Sequence, residues 1–246
     1  MRYAWVTFLV LVGCATPAQK SAMDSWMLKP GWANATTFHD ITLKGRDGKL
    51  YKIQGAHIEN LKIVLIAIEK QSHIYPEVVL VADDTSNAFA TTKNEQQIIG
   101  LTLAMLNNIG LDRDAIATTL GHELAHLQLK HGDIRKRRTE SAKGLGDILG
   151  LALALVGVPM GGTIANVGVG VVTTAYSRDE EREADILGLR WAMNAGYSAC
   201  GSARTINIFK AQGATAPAPF LASHPGHDER IERANQAAIK ETGRGC

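Results

Sequence analysis

The stretch TTLGHELAHLQLKHG at residues 118–132 carries three histidines and a glutamate among apolar residues. His122 and His126 are four residues apart, and positions i and i+4 lie on one face of an α-helix. Both imidazoles can therefore reach the same metal ion, and Glu123 beside them can serve as a general base. This is the H-E-x-x-H arrangement of two zinc ligands and a base.

The surrounding residues predict that this motif lies on a helix. Asp112 is a suitable N-cap with Ala115 at the third helical position, and Gly132 is a natural C-cap. Under this prediction His131, five residues past the second histidine, is rotated off the ligand face. The alternative is a core helix whose histidines have only structural partners. The core stripe of the predicted helix consists of Ile116, Leu120, Leu124 and Leu127.

A catalytic zinc needs three protein ligands, and the best candidate for the third lies in a second predicted helix, SRDEEREADILGLRWAMNAG, which ends at Gly196. A solvated acidic first turn would also explain its carboxylates, because helix N-termini favour negative charge. Spacing favours the metal, because Glu181 and Asp185 form an i, i+4 pair whose face Leu189 continues into the core. Buried carboxylates without partners would be costly, and a metal and a histidine would satisfy both.

The rest of the chain predicts a mainly helical α+β domain. Alternating residues around a turn predict a β-hairpin at 40–53, and apolar residues at helical spacing predict a helix at 58–71. Two short apolar stretches, 77–83 and 86–92, are typical of neighbouring strands. The run IIGLTLAMLNNIG at 98–110 predicts a helix that closes at its final glycine.

The N-terminus is typical of an exported lipoprotein. An apolar run follows Arg2, is too short to span a bilayer, and ends in LVGC, which resembles a bacterial lipobox with Cys14 as the lipidated residue. A plain signal peptide is the alternative. Alanine at position 15 favours the outer membrane over the inner one. We therefore expect a signal peptide at 1–13, a lipid-bearing tether at 14–38 and one catalytic domain at 39–246.

Charge and cysteine content limit which binding partners and which disulfide we expect. A formal charge of +2 does not favour nucleic acid, because phosphate binding needs a clustered basic surface, and the run KRR at 136–138 suits a solvated loop. Cleavage before Cys14 leaves Cys200 and Cys246 as the other cysteines. An even pair in an oxidising compartment often forms a disulfide, although two unpaired thiols are equally compatible with the sequence.

Residues 148–177 contain no charged side chain and are long enough to suggest a membrane span. A single crossing would separate His122 and His126 from Glu181, and 30 residues are too few for two crossings. We predict a helical hairpin broken near Pro159. It could be a lid over the cleft, part of the core, or a surface that contacts the membrane or an oligomer partner.

Four motifs in order, SNAFA, HELAH, EREAD and SHPGHDERI, resemble the HtpX-like and CAAX-prenyl-protease-type zinc metalloproteases, the gluzincins of peptidase family M48. The resemblance spans roughly residues 55–240, and lipid-anchored members of the bacterial envelope are most similar in layout. It implies His122, His126 and Glu181 as ligands of one zinc ion and Glu123 as the base. Asp185 would be an outer acceptor that fixes the tautomer of a ligand histidine.

The resemblance also implies roles outside the ligand set. The edge strand that takes an extended substrate would consist of Asn87, Ala88, Phe89 and Ala90. The family often continues with a glycine-rich turn, where this chain has TTKNEQQ. His224 would stabilise an oxyanion or occupy the open metal position, and Arg230 would bind the substrate or the nearby carboxylates. A surface-loop histidine is the alternative for His224, and solvated or structural positions are expected for His39, His57, His73 and His227.

The resemblance and the motif together predict a zinc-dependent endopeptidase. Its substrates would be unfolded or misassembled proteins of the bacterial envelope, and the enzyme could be latent until activated. The alternative is a chaperone-like lipoprotein that binds in the same cleft without cutting. Glu123 favours cleavage, because binding alone does not need a base. The physiological metal stays open, since other divalent ions fit such sites.

Overall fold

The computed structural model describes residues 38–45, 47–135, 175–212 and 219–246, together with the backbone of residues 27 and 28. The fold is α+β and mainly helical, as predicted. The elements are β1 (Met27–Leu28), β2 (Ile41–Lys44), β3 (Leu50–Ile53), α1 (Gly55–Ser72), β4 (Glu77–Val81), β5 (Ala88–Lys93), β6 (Gln96–Thr102), α2 (Leu103–Ile109), α3 (Arg113–Gln128), α4 (Arg178–Asn194), α5 (Cys200–Gln212), α6 (Pro219–Ser223) and α7 (His227–Thr242).

The described strands form a hairpin and a four-stranded sheet. Strands β2 and β3 pair antiparallel, which confirms the predicted hairpin. The sheet has the order β1-β4-β6-β5, with β4 and β6 parallel and β5 antiparallel to β6. The prediction that β4 and β5 are neighbours was wrong, because β6 lies between them.

Strand β6 also corrects the helix predicted at 98–110. Residues up to Thr102 are extended, and α2 begins at Leu103, where the Thr102 hydroxyl accepts a hydrogen bond from the backbone N–H of Met105. β6 is flanked on both sides and buried from Ile98 to Thr102. A strand covered on both faces is an unbroken apolar run, which periodicity cannot distinguish from a buried helix.

The hairpin between β5 and β6 turns without the glycines that the family often uses. Asn94 and Glu95 both have positive φ, 48° and 67°, which a tight two-residue hairpin turn requires. Within the described part of the chain β5 pairs with β6 alone, so its other side is an open sheet edge. The predicted stretch Asn87–Ala90 therefore lies at the start of an edge strand.

Helix α3 is the centre of the fold. The Asp112 carboxylate accepts a hydrogen bond from the backbone N–H of Ala115, which confirms the predicted N-cap. Every residue from Ala115 to Leu127 is buried, because α1, α4, α5 and β5 pack around the helix. The helix is shorter than predicted, since it ends at Gln128, and Lys130 then takes a left-handed conformation with φ 55°.

Two glycines set the spacing between α3 and α4. A Cβ atom added at Gly121 would lie 2.5 Å from the carbonyl oxygen of Gly188, and one added at Gly188 would lie 2.6 Å from the backbone nitrogen of His122. No side chain fits between the backbones at this crossing. The two helices that carry the candidate ligands therefore meet main chain against main chain.

The C-terminal part is fixed by a disulfide. Cys200, at the start of α5, is bonded to Cys246, the last residue of the chain. The backbone N–H of Cys246 also donates to the side-chain oxygen of Asn235 on α7. The chain end is thereby attached to both helices.

Several predicted segments lie outside the described residues, namely the signal peptide, Cys14, most of the tether, the KRR run and the uncharged segment up to residue 174. Met27 and Leu28, inside the predicted tether, form β1 and pair antiparallel with β4. Among the helices that the structure describes, none combines the length and apolar character needed to cross a bilayer.

Candidate metal centre

Two helices and one loop bring four buried candidate ligands together. His122 and His126 extend from α3, Glu181 extends from the first turn of α4, and His224 extends from the loop between α6 and α7. One ligand atom from each of the four side chains lies within 4.8 Å of all the others. The structure thus brings together the three sequence-predicted ligands and His224, which the resemblance placed near the metal. The alternative of a surface-loop histidine for His224 was wrong, because the residue is buried.

Local structure fixes the positions of Glu181 and His224. The Ser177 side chain accepts from the N–H of Glu180, and the Glu180 carboxylate accepts from the N–H of Ser177, so a capping box starts α4 at this point. This start places Glu181 in the first turn, where it faces α3. The backbone N–H of His224 donates to the carbonyl of Phe220, which holds the loop after α6 against the cluster.

The distances between the ligand atoms suit one small metal ion. His122 Nε2 and His126 Nε2 are 3.0 Å apart, and the Glu181 oxygens lie 3.4 and 3.3 Å from them. Atoms that surround zinc tetrahedrally at its usual bond lengths are about 3.3 Å from one another. Imidazole nitrogens and a carboxylate are also the donor types that zinc prefers. The residues present therefore fit a zinc ion.

The two histidines of α3 differ in their electrostatics. Burial lowers the pKa of His126 well below its usual value, and the neighbouring His122 acts in the same direction. Burial and Arg230 also act to lower the pKa of His122, but Glu181 and Asp185 outweigh them and raise this pKa to about 9. Metal binding at this pair must therefore displace a proton from His122, since a ligand imidazole is neutral.

A buried arginine compensates the two carboxylates of α4. Arg230 Nε lies 3.1 Å from Asp185 Oδ1, and Arg230 Nη1 lies 3.1 Å from Glu181 Oε2. Asp185 Oδ1 is in turn 3.0 Å from His122 Nδ1. Burial acts to raise the pKa of Asp185, but Arg230 and His122 hold it well below its usual range. Of the two roles predicted for Arg230, the structure places it on the carboxylates.

Glu123, the predicted general base, follows the first histidine of the ligand pair on α3. Its side chain is fully buried beside the ligand pair, and neither carboxylate oxygen has a hydrogen-bond partner among the described residues. Glu123 Oε1 lies 3.4 Å from Nε2 of His224, whose Nδ1 faces Glu181 Oε1 at 3.0 Å. One imidazole therefore lies between the predicted base and the predicted metal ligands.

Two residues at the site were not predicted from the sequence. His131 is buried, with its Nδ1 2.9 Å from His126 Nδ1, because the chain turns back at Lys130. The prediction that His131 points away was wrong, since it assumed an unbroken helix. Tyr176 stacks on the His126 ring with centroids 3.7 Å apart. It precedes α4 and belongs to no periodic pattern, so no sequence signal could have placed it.

The remaining predicted positions lie around this centre. Asn87 is buried and bonded through its backbone to Thr102, and the Phe89 ring covers Gly100 on β6. His227, predicted to be solvated, is half-buried and donates from Nε2 to the carbonyl of Leu221. The other histidines stay apart from the cluster, with His39 and His73 exposed and His57 buried under α2.

Comparison with known proteins identifies the family of this chain. The family model described as Peptidase family M48 matches residues 57–238, which include all four candidate ligands. A protease HtpX homolog from Helicobacter pylori (strain Shi470) is 32% identical over 104 residues, covering 40% of this chain and 32% of that relative. The chain thus spans about a third of the length of the curated relative that it matches. Because the family match extends over more than half of the sequence, this chain belongs to peptidase family M48.

Proposed function

We propose that this chain is a zinc-dependent endopeptidase, with His122, His126 and Glu181 as the metal ligands and Glu123 as the base. The observation that supports this most is the convergence of the four ligand atoms within 4.8 Å, beside a buried carboxylate that has no hydrogen-bond partner in the described residues. A structural metal site would not need such a carboxylate. A hydrolase needs one to accept a proton.

In this proposal a zinc ion would act as a Lewis acid that polarises the scissile carbonyl and lowers the pKa of the attacking water. Glu123 accepts the proton of that water and passes it to the leaving amine. Arg230 holds Glu181 and Asp185 in place, so the ligand carboxylate keeps its orientation while the base changes its protonation state.

We also propose that His224 keeps the enzyme latent. Catalytic zinc sites keep one position open, whereas sites with four protein ligands are closed. His224 Nδ1 lies 3.0 Å from both His122 Nε2 and Glu181 Oε1, so it would be the fourth ligand. Activation would then require the loop after α6 to move the His224 imidazole away.

The proposed substrates are extended segments of unfolded or misassembled envelope proteins. Strand β5 offers an open edge within the described sheet, and an edge strand can pair with the backbone of an extended peptide.

The lipoprotein-type N-terminus favours the periplasmic face of the outer membrane as the location. Fractionation of cells that express Cys14→Ala tests the anchor, because this variant should leave the membrane fraction if Cys14 carries the lipid.

The decisive experiment pairs zinc analysis of the native chain and Glu123→Gln, which should bind equal zinc, with casein cleavage by His224→Ala, in which the latch is absent. Adding Glu123→Gln to His224→Ala should lower cleavage by about 10²- to 10⁴-fold. A folded native chain that binds no zinc, or cleavage that the added substitution leaves unchanged, would refute the proposal. His224→Ala should cleave faster than the native chain, and an unchanged or lower rate would exclude the latch.

A further inference from the structure

The outer side of His126 makes an unusual contact for a metal-binding histidine. Its Nδ1 lies 2.9 Å from Nδ1 of His131, and His131 Nε2 lies 3.2 Å from a carboxylate oxygen of Glu183 on α4. His131 is buried, whereas the Glu183 side chain is 62% exposed. A line of polar groups therefore runs from the metal cluster through a second histidine to the surface.

The proton positions along this line follow from the chemistry of imidazole. A neutral imidazole has one N–H donor and one bare nitrogen acceptor. If His126 directs bare Nε2 towards the cluster, its proton is on Nδ1, and Nδ1 must donate. The Nδ1 of His131 must then accept, which leaves the His131 proton on Nε2, where it donates to Glu183. Both distances are compatible with hydrogen bonds, so one arrangement satisfies all three residues.

The backbone around His131 and the packing of Tyr176 both support this arrangement of the His126 ring. The left-handed Lys130 reverses the chain after α3, and its carbonyl accepts from the N–H groups of Asp133 and Ile134, which fixes the segment that carries His131. Tyr176 stacks on the His126 ring with an interplanar angle of 15°. The stacked ring limits tilting of His126, and the hydrogen bond to His131 limits rotation within the ring plane.

We propose that His131 is a positioning residue for the metal centre, which accepts the Nδ1–H bond of His126 and thereby holds His126 with bare Nε2 directed at the metal. This inference rests on the proposed metal site. Partners of this kind usually affect metal affinity by 10- to 100-fold, because they fix the tautomer and orientation of the ligand.

The test measures zinc affinity by chelator competition in the full chain, with the absorption spectrum of the cobalt-loaded protein as a second readout. His131→Leu fills a similar volume without an acceptor, and zinc affinity should fall by about 10- to 100-fold, with an altered cobalt spectrum. In His131→Asn the amide oxygen can take the place of Nδ1, so affinity should stay within about threefold of native. His57→Leu removes a buried histidine outside the cluster and should leave affinity and spectrum unchanged.

Native affinity and an unchanged cobalt spectrum in His131→Leu would overturn the inference, as would equal losses in folded His131→Leu and His131→Asn. If His131→Leu does not fold, His131→Gln replaces it, because its amide reaches the Nε2 position and cannot accept from His126. His131→Gln should then bind zinc more weakly than His131→Asn, and equal affinities would refute the inference. A native chain that binds no zinc would instead refute the proposed function, so the two failures are distinguishable.

Discussion

The two histidines of α3 are supported in opposite ways. Behind His122, at 3.0 Å from its Nδ1, lies Asp185, whose charge is compensated by Arg230, and all of these groups are buried. Behind His126 lies the imidazole of His131, whose next partner, Glu183, is mostly in water. One ligand is thus fixed by ionised groups shielded from solvent, and the other by hydrogen bonds that lead outward.

The two sides of the centre should therefore contribute unequally to the stability of the fold. Removing one member of a buried ion pair leaves a charge without compensation, at a cost of about 3–5 kcal/mol. An exposed carboxylate that loses its partner is solvated instead, and the cost is about 1 kcal/mol or less. The His122 side should therefore affect both folding and metal binding, and the His126 side mainly metal binding.

Loss of the buried arginine should change the stability of the fold most. Arg230→Met should lower the free energy of unfolding by about 3–5 kcal/mol, because Glu181 would lose its buried guanidinium partner and Asp185 would keep only Arg233, whose side chain is 20% exposed. Denaturant unfolding in the presence of a chelator measures this effect without a metal contribution. Arg178→Met is the matched control, since Arg178 also joins α4 to α7, through Glu229 at 2.8 Å, but with its side chain 70% exposed.

The control should cost about 1 kcal/mol or less. Equal losses in the two variants would mean that burial does not distinguish the two bridges. The difference between the buried groups behind His122 and the partly exposed groups behind His126 would then have no energetic basis.

The second prediction concerns how the free energy of unfolding depends on pH. The pKa of Asp185 is held below its ordinary 3.8, mainly by Arg230 acting against burial. Its ionised form therefore stabilises the fold above about pH 4, and this stabilisation is lost as the pH falls towards the lower folded-state pKa. The difference in unfolding free energy between the native chain and Asp185→Asn should shrink between about pH 5 and pH 2. A difference that stays constant over this range would contradict the prediction.

The smallest effect is expected at the solvent end of the other support. Glu183→Gln keeps a carbonyl oxygen that can accept from His131 Nε2, and water can replace it, so zinc affinity should change by less than about threefold. Chelator competition measures this change beside His131→Leu. A loss as large as that of His131→Leu would mean that the charge of Glu183, and not the His131 ring, holds His126.

Much of this centre could be predicted because its residues obey helical spacing. His122 and His126 share a face of α3, and Glu181 and Asp185 share a face of α4, so each pair is visible along the chain. The inward direction of Glu181 and Asp185 also followed from Leu189, which is buried one turn further on. These features depend on the 3.6-residue period alone.

The features that were missed depend on contacts between distant parts of the chain. His131 reaches His126 only because Lys130 adopts a left-handed conformation, and no residue near Lys130 predicts such a conformation. Tyr176 is placed by the start of α4. Strand β6 was predicted as a helix because a central strand and a buried helix share the same apolar run, and only its neighbours β4 and β5 decide between them.

The crossing at Gly121 and Gly188 has a consequence for how this protein can evolve. Backbone atoms already in van der Waals contact cannot move closer, so the gap between the histidine pair and Glu181 has a hard lower limit. Residues around α3 and α4 can therefore vary in size without compressing the metal centre. Side chains elsewhere on the two helices are free to diversify, while two residues without side chains keep the candidate ligands from moving closer together.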